Sequence, residues 1–115
     1  MMKIIKFFTL SCFTLVFLTA FAQKPKWEKA NFQVSGKCDM CKTKIEKAAT
    51  GTEGVKTARW NVVNGKMKVK FNPVITNTDK IQQIISSVGY DTEKYKATDE
   101  AYNNLHYCCK YEREQ

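Results

Sequence analysis

The chain has 115 residues, with 19 Lys and Arg against 11 Asp and Glu, five Cys and a single His. That length holds one small domain with a thin core, and the lone His, with no Ser/His/Asp set and no phosphate-cradling glycine loop, argues against an enzyme. The net charge of +8 is spread along the chain rather than massed in one block, which fits solubility and acidic partner surfaces rather than nucleic acid.

Residues 1–22 read as a secretory signal peptide. Lys3 and Lys6 precede an apolar run from Phe7 to Phe21, and Ala20-Phe21-Ala22 supplies a small-x-small cleavage pattern. The run is about 15 residues, short of the roughly 18 to 20 that cross a bilayer. Thr9, Ser11, Thr14 and Thr19 also interrupt it. The expectation is an exported protein, periplasmic or secreted, with no membrane span after signal cleavage. Residues 23–29 form a charged lead-in containing Pro25.

From Ala30 onward the periods become legible. Phe32 and Val34 alternate with Gln33 and Ser35 as a half-buried strand, which Gly36 breaks. From Cys41 to Thr50, Ile45, Ala48 and Ala49 fall at helical spacing among charged residues, and Gly51 and Gly54 end that helix. Val55 to Val62 is the next strand, with Ala58, Trp60 and Val62 on one face. Lys66 to Phe71 follows, setting Met67, Val69 and Phe71 in the core against Lys66, Lys68 and Lys70 in solvent. Asn64-Gly65 between them signals a hairpin. Past Pro73, a helix over Asp79 to Val88 carries Ile81, Ile84, Ile85 and Val88 on one stripe, with Asn77 or Thr78 to cap it and Gly89 to close it. Tyr90 to Lys96 alternates loosely and reads as a fourth strand.

The order over residues 30–96 is strand, helix, strand, strand, helix, strand. It predicts an α+β, ferredoxin-like βαββαβ sandwich, two helices on one face of a four-stranded antiparallel sheet. Residues 97–115 add a C-terminal helical tail, with a third helix from Thr98 to Tyr107, capped by Thr98 or Asp99 and carrying Ala101, Tyr102 and Leu105 on one side.

Four cysteines lie beyond the signal segment, in two close pairs: Cys38-x-x-Cys41 and Cys108-Cys109. Bridges within such pairs close tiny loops and constrain the unfolded chain little, and adjacent cysteines bridge only with strain. The spacing therefore favours ligand chemistry over stapling. Cys38 and Cys41 sit where a strand turns into a helix, and Cys41 is expected in the first turn, near unpaired N–H groups that favour thiolate, with Lys37, Lys42 and Lys44 adding to the effect. Two thiolates two residues apart can face one ion, and soft guests such as Cu(I), Ag(I) or Hg(II) suit them. A helix of roughly 15 Å over Thr98 to Tyr107 can bring the chain back along the sheet. Cys108 or Cys109 is thus expected near Cys38 and Cys41, within about 10 Å. If three or four thiolates converge, Zn(II), Cd(II) or a small Cu(I)-thiolate cluster competes. Met40 and His106 are further donor types beside these cysteines, although such residues more often serve as cover and as solvated tail. Tyr90 is expected to exclude water from the site.

These residues resemble the heavy-metal-associated domain, the family of copper chaperones, metal-pump amino-terminal domains and the periplasmic mercury-binding protein. The resemblance runs from about Phe32 to Tyr95. It rests on Gly36 to Cys41 after the first strand, Gly54-Val55 opening the second, the isoleucine face of the second helix, and Val88-Gly89-Tyr90. It implies metal binding by Cys38 and Cys41, and a metal transporter or another metal-binding domain as partner. One departure is Gly36, where the family usually has a core methionine. Two alternatives stay open on the residues alone: a thiol-disulfide redox protein and a zinc-stapled structural module.

Overall fold

A computed structural model describes residues 26–113. The signal-peptide reading of residues 1–22 lies outside them. Three strands, β1 (Glu28–Gln33), β2 (Val55–Trp60) and β3 (Lys66–Phe71), form an antiparallel sheet in the order β1-β3-β2. Helix α1 (Asp39–Thr50) connects β1 to β2, and α2 (Thr78–Ser87) follows β3. Strand β1 starts two residues earlier than its alternation suggests, because Glu28 and Lys29 pair with Phe71 and Lys70.

Alternation decides which sheet face is covered. In β3, Met67, Val69 and Phe71 are buried while Lys66 and Lys68 face solvent. The buried side meets Ile45 and Ala49 of α1 and Ile81 and Ile85 of α2, all fully enclosed with Phe32, Val34 and Trp60. Each aliphatic side chain of that size contributes about 1.5–3 kcal/mol on burial. The stripe on α2 is narrower than its spacing implies, since Ile84 and Val88 stay partly exposed. Asn77 caps α2 by accepting from the Lys80 N–H at 2.9 Å.

Three predicted elements differ. Strand β2 ends at Trp60, and Val62 lies in the turn to β3, where Asn61 Oδ1 accepts from the N–H groups of Val63 and Asn64. The fourth strand is reduced to one bridge, Val34 with Thr92. It stops because residues 92–95 turn back on themselves: Thr92 N–H donates to Tyr95 O, and Tyr95 N–H donates to Thr92 Oγ1. The third helix is only Asp99–Asn103 (α3), capped by Thr98. The pair Asn103-Asn104 propagates a helix poorly, and Leu105 is drawn inward onto Gly89, whose missing Cβ leaves room for Ala101 O and the Leu105 side chain. A 3₁₀ turn, Tyr107–Cys109, follows. No helix among the described residues is long and apolar enough to cross a membrane.

Trp60 explains Gly36. Its indole is buried and donates from Nε1 to Val34 O at 3.0 Å and Gly65 O at 3.1 Å, which fixes the ring. A Cβ on residue 36 would stand 2.7 Å from that ring. The tryptophan thus occupies the space that any side chain at residue 36 would need. We expect Gly36→Ala to lower unfolding stability by about 1–3 kcal/mol through overpacking, read from urea denaturation of the reduced protein.

Candidate metal centre

The loop carrying the first cysteine pair is anchored at its start. Val34 N–H donates to Gly65 O at 2.9 Å, and Ser35 N–H donates to Asp91 O at 2.8 Å. Cys38 then takes the N-cap position of α1 with an extended backbone, φ −144° and ψ 178°. Its carbonyl accepts the first intrahelical bond, from Lys42 N–H at 3.0 Å. A residue at that position normally offers a side-chain oxygen to the free N–H groups of the first turn; Cys38 places a sulfur beside them and makes no side-chain capping hydrogen bond.

This placement reverses the expected roles of the two cysteines. The N–H of Cys41, and after it that of Met40, stabilise the Cys38 thiolate against burial and lower its pKa to about 7. Cys41 is fully buried, and burial first, then its contact with Cys109, pushes its thiol above the ordinary value. The helix begins at Asp39 rather than Cys41, so the electropositive helix end acts on Cys38. The two sulfurs are 3.8 Å apart.

The tail reaches the same place from the other end of the chain. Cys38 Sγ, Cys108 Sγ and Cys109 Sγ lie within 4.8 Å of one another. As thiols, Cys38 donates to Cys108 O at 3.4 Å and Cys41 to Cys109 O at 3.8 Å. Cys41 and Cys109 are buried, Cys38 and Cys108 half-buried, and all four are free thiols. Tyr90 is completely enclosed, and its hydroxyl is one of two buried side-chain polar atoms among the described residues with no hydrogen-bond partner. Burial foremost, and then the charges of Cys41 and Cys109, hold that phenol strongly in its protonated form. At the outer edge, His106 Nδ1 stands 3.1 Å from Cys108 Sγ, and Cys108 Sγ stands 3.6 Å from Met40 Sδ.

A clamp that sequence reading missed holds the tail down. Tyr111 Oη accepts from Asp91 N–H at 2.8 Å and donates to Gly89 O at 2.9 Å. Arg113 grips both carboxylate oxygens of Asp91, at 3.0 and 2.9 Å, and also reaches Ala97 O and Asp99. Tyr102 donates to Tyr111 O and packs edge-on against its ring, with the Arg113 guanidinium over its own face. Burial alone raises the Asp91 pKa, but Arg113 and the Ala97 N–H outweigh it and hold the carboxyl below its usual range. The signal available in sequence was Tyr111-x-Arg113 directly after the second cysteine pair, an aromatic and a cation in a segment otherwise read as loose tail.

A family model, the heavy-metal-associated domain, matches residues 32–91. A copper-exporting P-type ATPase of Staphylococcus epidermidis (strain ATCC 35984) is 32% identical over 78 residues, which is 67% of this chain and 10% of that protein. The chain therefore spans about a tenth of the length of that curated relative. Among solved structures, the CopZ metallochaperone superposes with TM-score 0.55 at 27% identity, covering 56% of this chain and 98% of that one. The N-terminal domain of a potential copper-translocating P-type ATPase from Bacillus subtilis, solved in the Cu(I)-loaded state, gives TM-score 0.56 at 28% identity, covering 64% and 94%.

Two outcomes test this geometry. In the reduced protein without metal, iodoacetamide labelling of Cys38 should rise with a midpoint near pH 7, while Cys41 labels only at a pH above that of an ordinary thiol; mass mapping of the labelled peptides reads both. Arg113→Ala should free the tail by removing charge-assisted bonds worth about 1.5–3 kcal/mol. Amide exchange over residues 105–113 would then quicken about ten- to a hundredfold, with the sheet amides unmoved.

Proposed function

This chain belongs to the heavy-metal-associated domain family, and on that premise we propose that it captures a soft metal ion, Cu(I) foremost, on Cys38 and Cys41 together with Cys108 and Cys109. It acts outside the cytoplasm as a binding module for delivery, scavenging or sensing, not as an enzyme. The observation that carries this reading is the convergence of two cysteine pairs, nearly 70 residues apart in sequence, on one spot. Two thiolates about 2.3 Å from one ion in a tetrahedral arrangement stand about 3.8 Å apart. Cys38 and Cys41 already hold that spacing, and Cys38, Cys108 and Cys109 lie within 4.8 Å of one another.

Sulfur ligands favour Cu(I), and the copper proteins named above favour it too. Zn(II), Hg(II), Ag(I) and Cd(II) are the competitors. The orphaned Tyr90 hydroxyl supports the reading as well. An unpaired buried hydroxyl costs about 1–3 kcal/mol, and it gains a partner once a neighbouring sulfur becomes an anionic ligand. A metal transporter or another metal-binding domain is the proposed partner. Cys38, half-exposed and with its pKa lowered to about 7, is the sulfur through which an incoming thiolate can exchange the ion. Export rests on the signal-like pattern of Lys3, Lys6 and residues 7–22.

A zinc-stapled module would instead unfold once its metal is chelated, which far-ultraviolet circular dichroism of the metal-free protein reads. Native mass spectrometry of the reduced protein, with Cu(I), Zn(II) and Hg(II) in competition, is the test. Cu(I) should dominate; Cys38→Ser/Cys41→Ser should abolish uptake, and Cys108→Ser/Cys109→Ser should weaken it on the order of a hundredfold, the scale of about 2.7 kcal/mol. Full uptake by the Cys38/Cys41 variant would overturn the assignment. A metal-free protein that cycles a Cys38–Cys41 disulfide instead would point to redox chemistry.

A further inference from the structure

The four cysteines do not use every soft donor gathered at this end of the molecule. Met40 projects from the first turn of α1 and is 45% exposed. His106 precedes the 3₁₀ turn of the tail and packs its ring on Tyr107 at 4.3 Å between centroids. Between them sits Cys108, with its sulfur 3.1 Å from His106 Nδ1 and 3.6 Å from Met40 Sδ. These three groups come from two elements far apart in the chain and meet on the solvent side of the fully buried Cys41 and Cys109.

We propose that Cys108 Sγ, His106 Nδ1 and Met40 Sδ form a second soft-ion site, with Cys108 as a thiolate shared between this outer ion and the inner one. The proposal rests on the inner site described above, because Cys108 belongs to both. A weak S–H···S contact is a poor reason for a thioether, a thiol and an imidazole to converge on an exposed edge. As ligands they make sense together. An ion about 2.0 Å from nitrogen and about 2.3 Å from sulfur holds them about 3.5–3.8 Å apart; the Cys108 and Met40 sulfurs already stand 3.6 Å apart, and the Cys108–His106 pair, at 3.1 Å, needs to open by a few tenths of an ångström. The thioether selects Cu(I) or Ag(I) over Zn(II) or harder ions.

The position gives the outer site a job. An ion held on this rim is one bond from the inner set, and a shared Cys108 lets a bond to that set form before the bonds to His106 and Met40 break. No electron is transferred. The Cys108 thiol gives its proton to water on first binding an ion, and the copper stays Cu(I) throughout.

The test is a titration of the reduced full chain with Cu(I) against a chromophoric Cu(I) chelator, with native mass spectrometry for stoichiometry and X-ray absorption for the ligands. The wild type should take up two ions, the second at least about tenfold more weakly, and nitrogen scattering should appear only with the second equivalent. His106→Ala/Met40→Leu should stop at one ion, with far-ultraviolet circular dichroism verifying its fold. Saturation of the wild type at one ion, two ions in the double variant, or no nitrogen ligand at two equivalents would each overturn the proposal while leaving the inner site standing. Uptake of no ion at all would overturn both.

Discussion

Asp91 is where the two halves of the site are tied together. Its backbone carbonyl accepts from Ser35 at the start of the Cys38 loop, its N–H donates to Tyr111, and its carboxylate holds Arg113 and the Ala97 N–H. One residue therefore positions the loop before the first cysteine pair and the segment after the second. A carboxylate this enclosed carries a desolvation cost that the bidentate guanidinium and the backbone donor offset. Take the cation away and the same burial works against the fold.

The second constraint is electrical and acts within three residues. Cys38 sits at the open end of a helix, Cys41 one turn inside it under the tail. Identical side chains thus acquire opposite tendencies: the first is an anion near neutrality and the second is a buried thiol.

The core is largely separate from this chemistry. Trp60 fills the space beneath the loop that Gly36 leaves open, with its N–H satisfied by two carbonyls. The loop consequently rests on an aromatic plate rather than on a flexible side chain of its own.

Periodicity alone determined most of the scaffold. Alternation in Lys66 to Phe71, the isoleucine stripe of α2, and the Cys38-x-x-Cys41 spacing at a strand-to-helix junction were all legible, because each is a local pattern repeated over several residues. Cys108 and Cys109 do return to Cys38, but by a five-residue helix and a 3₁₀ turn rather than by the ten-residue helix whose length suggested it. The fourth strand and the ten-residue third helix did not survive, since side-chain bonds within residues 92–95 and the docking of Leu105 on Gly89 overrode weak local preferences. Which cysteine ionises, and why the tail stays down, was decided only by tertiary structure. Both depend on a helix boundary two residues from its expected place and on contacts between Asp91 and Arg113, 22 residues apart, and the strength of a charge's surroundings cannot be read until distant residues are brought beside it.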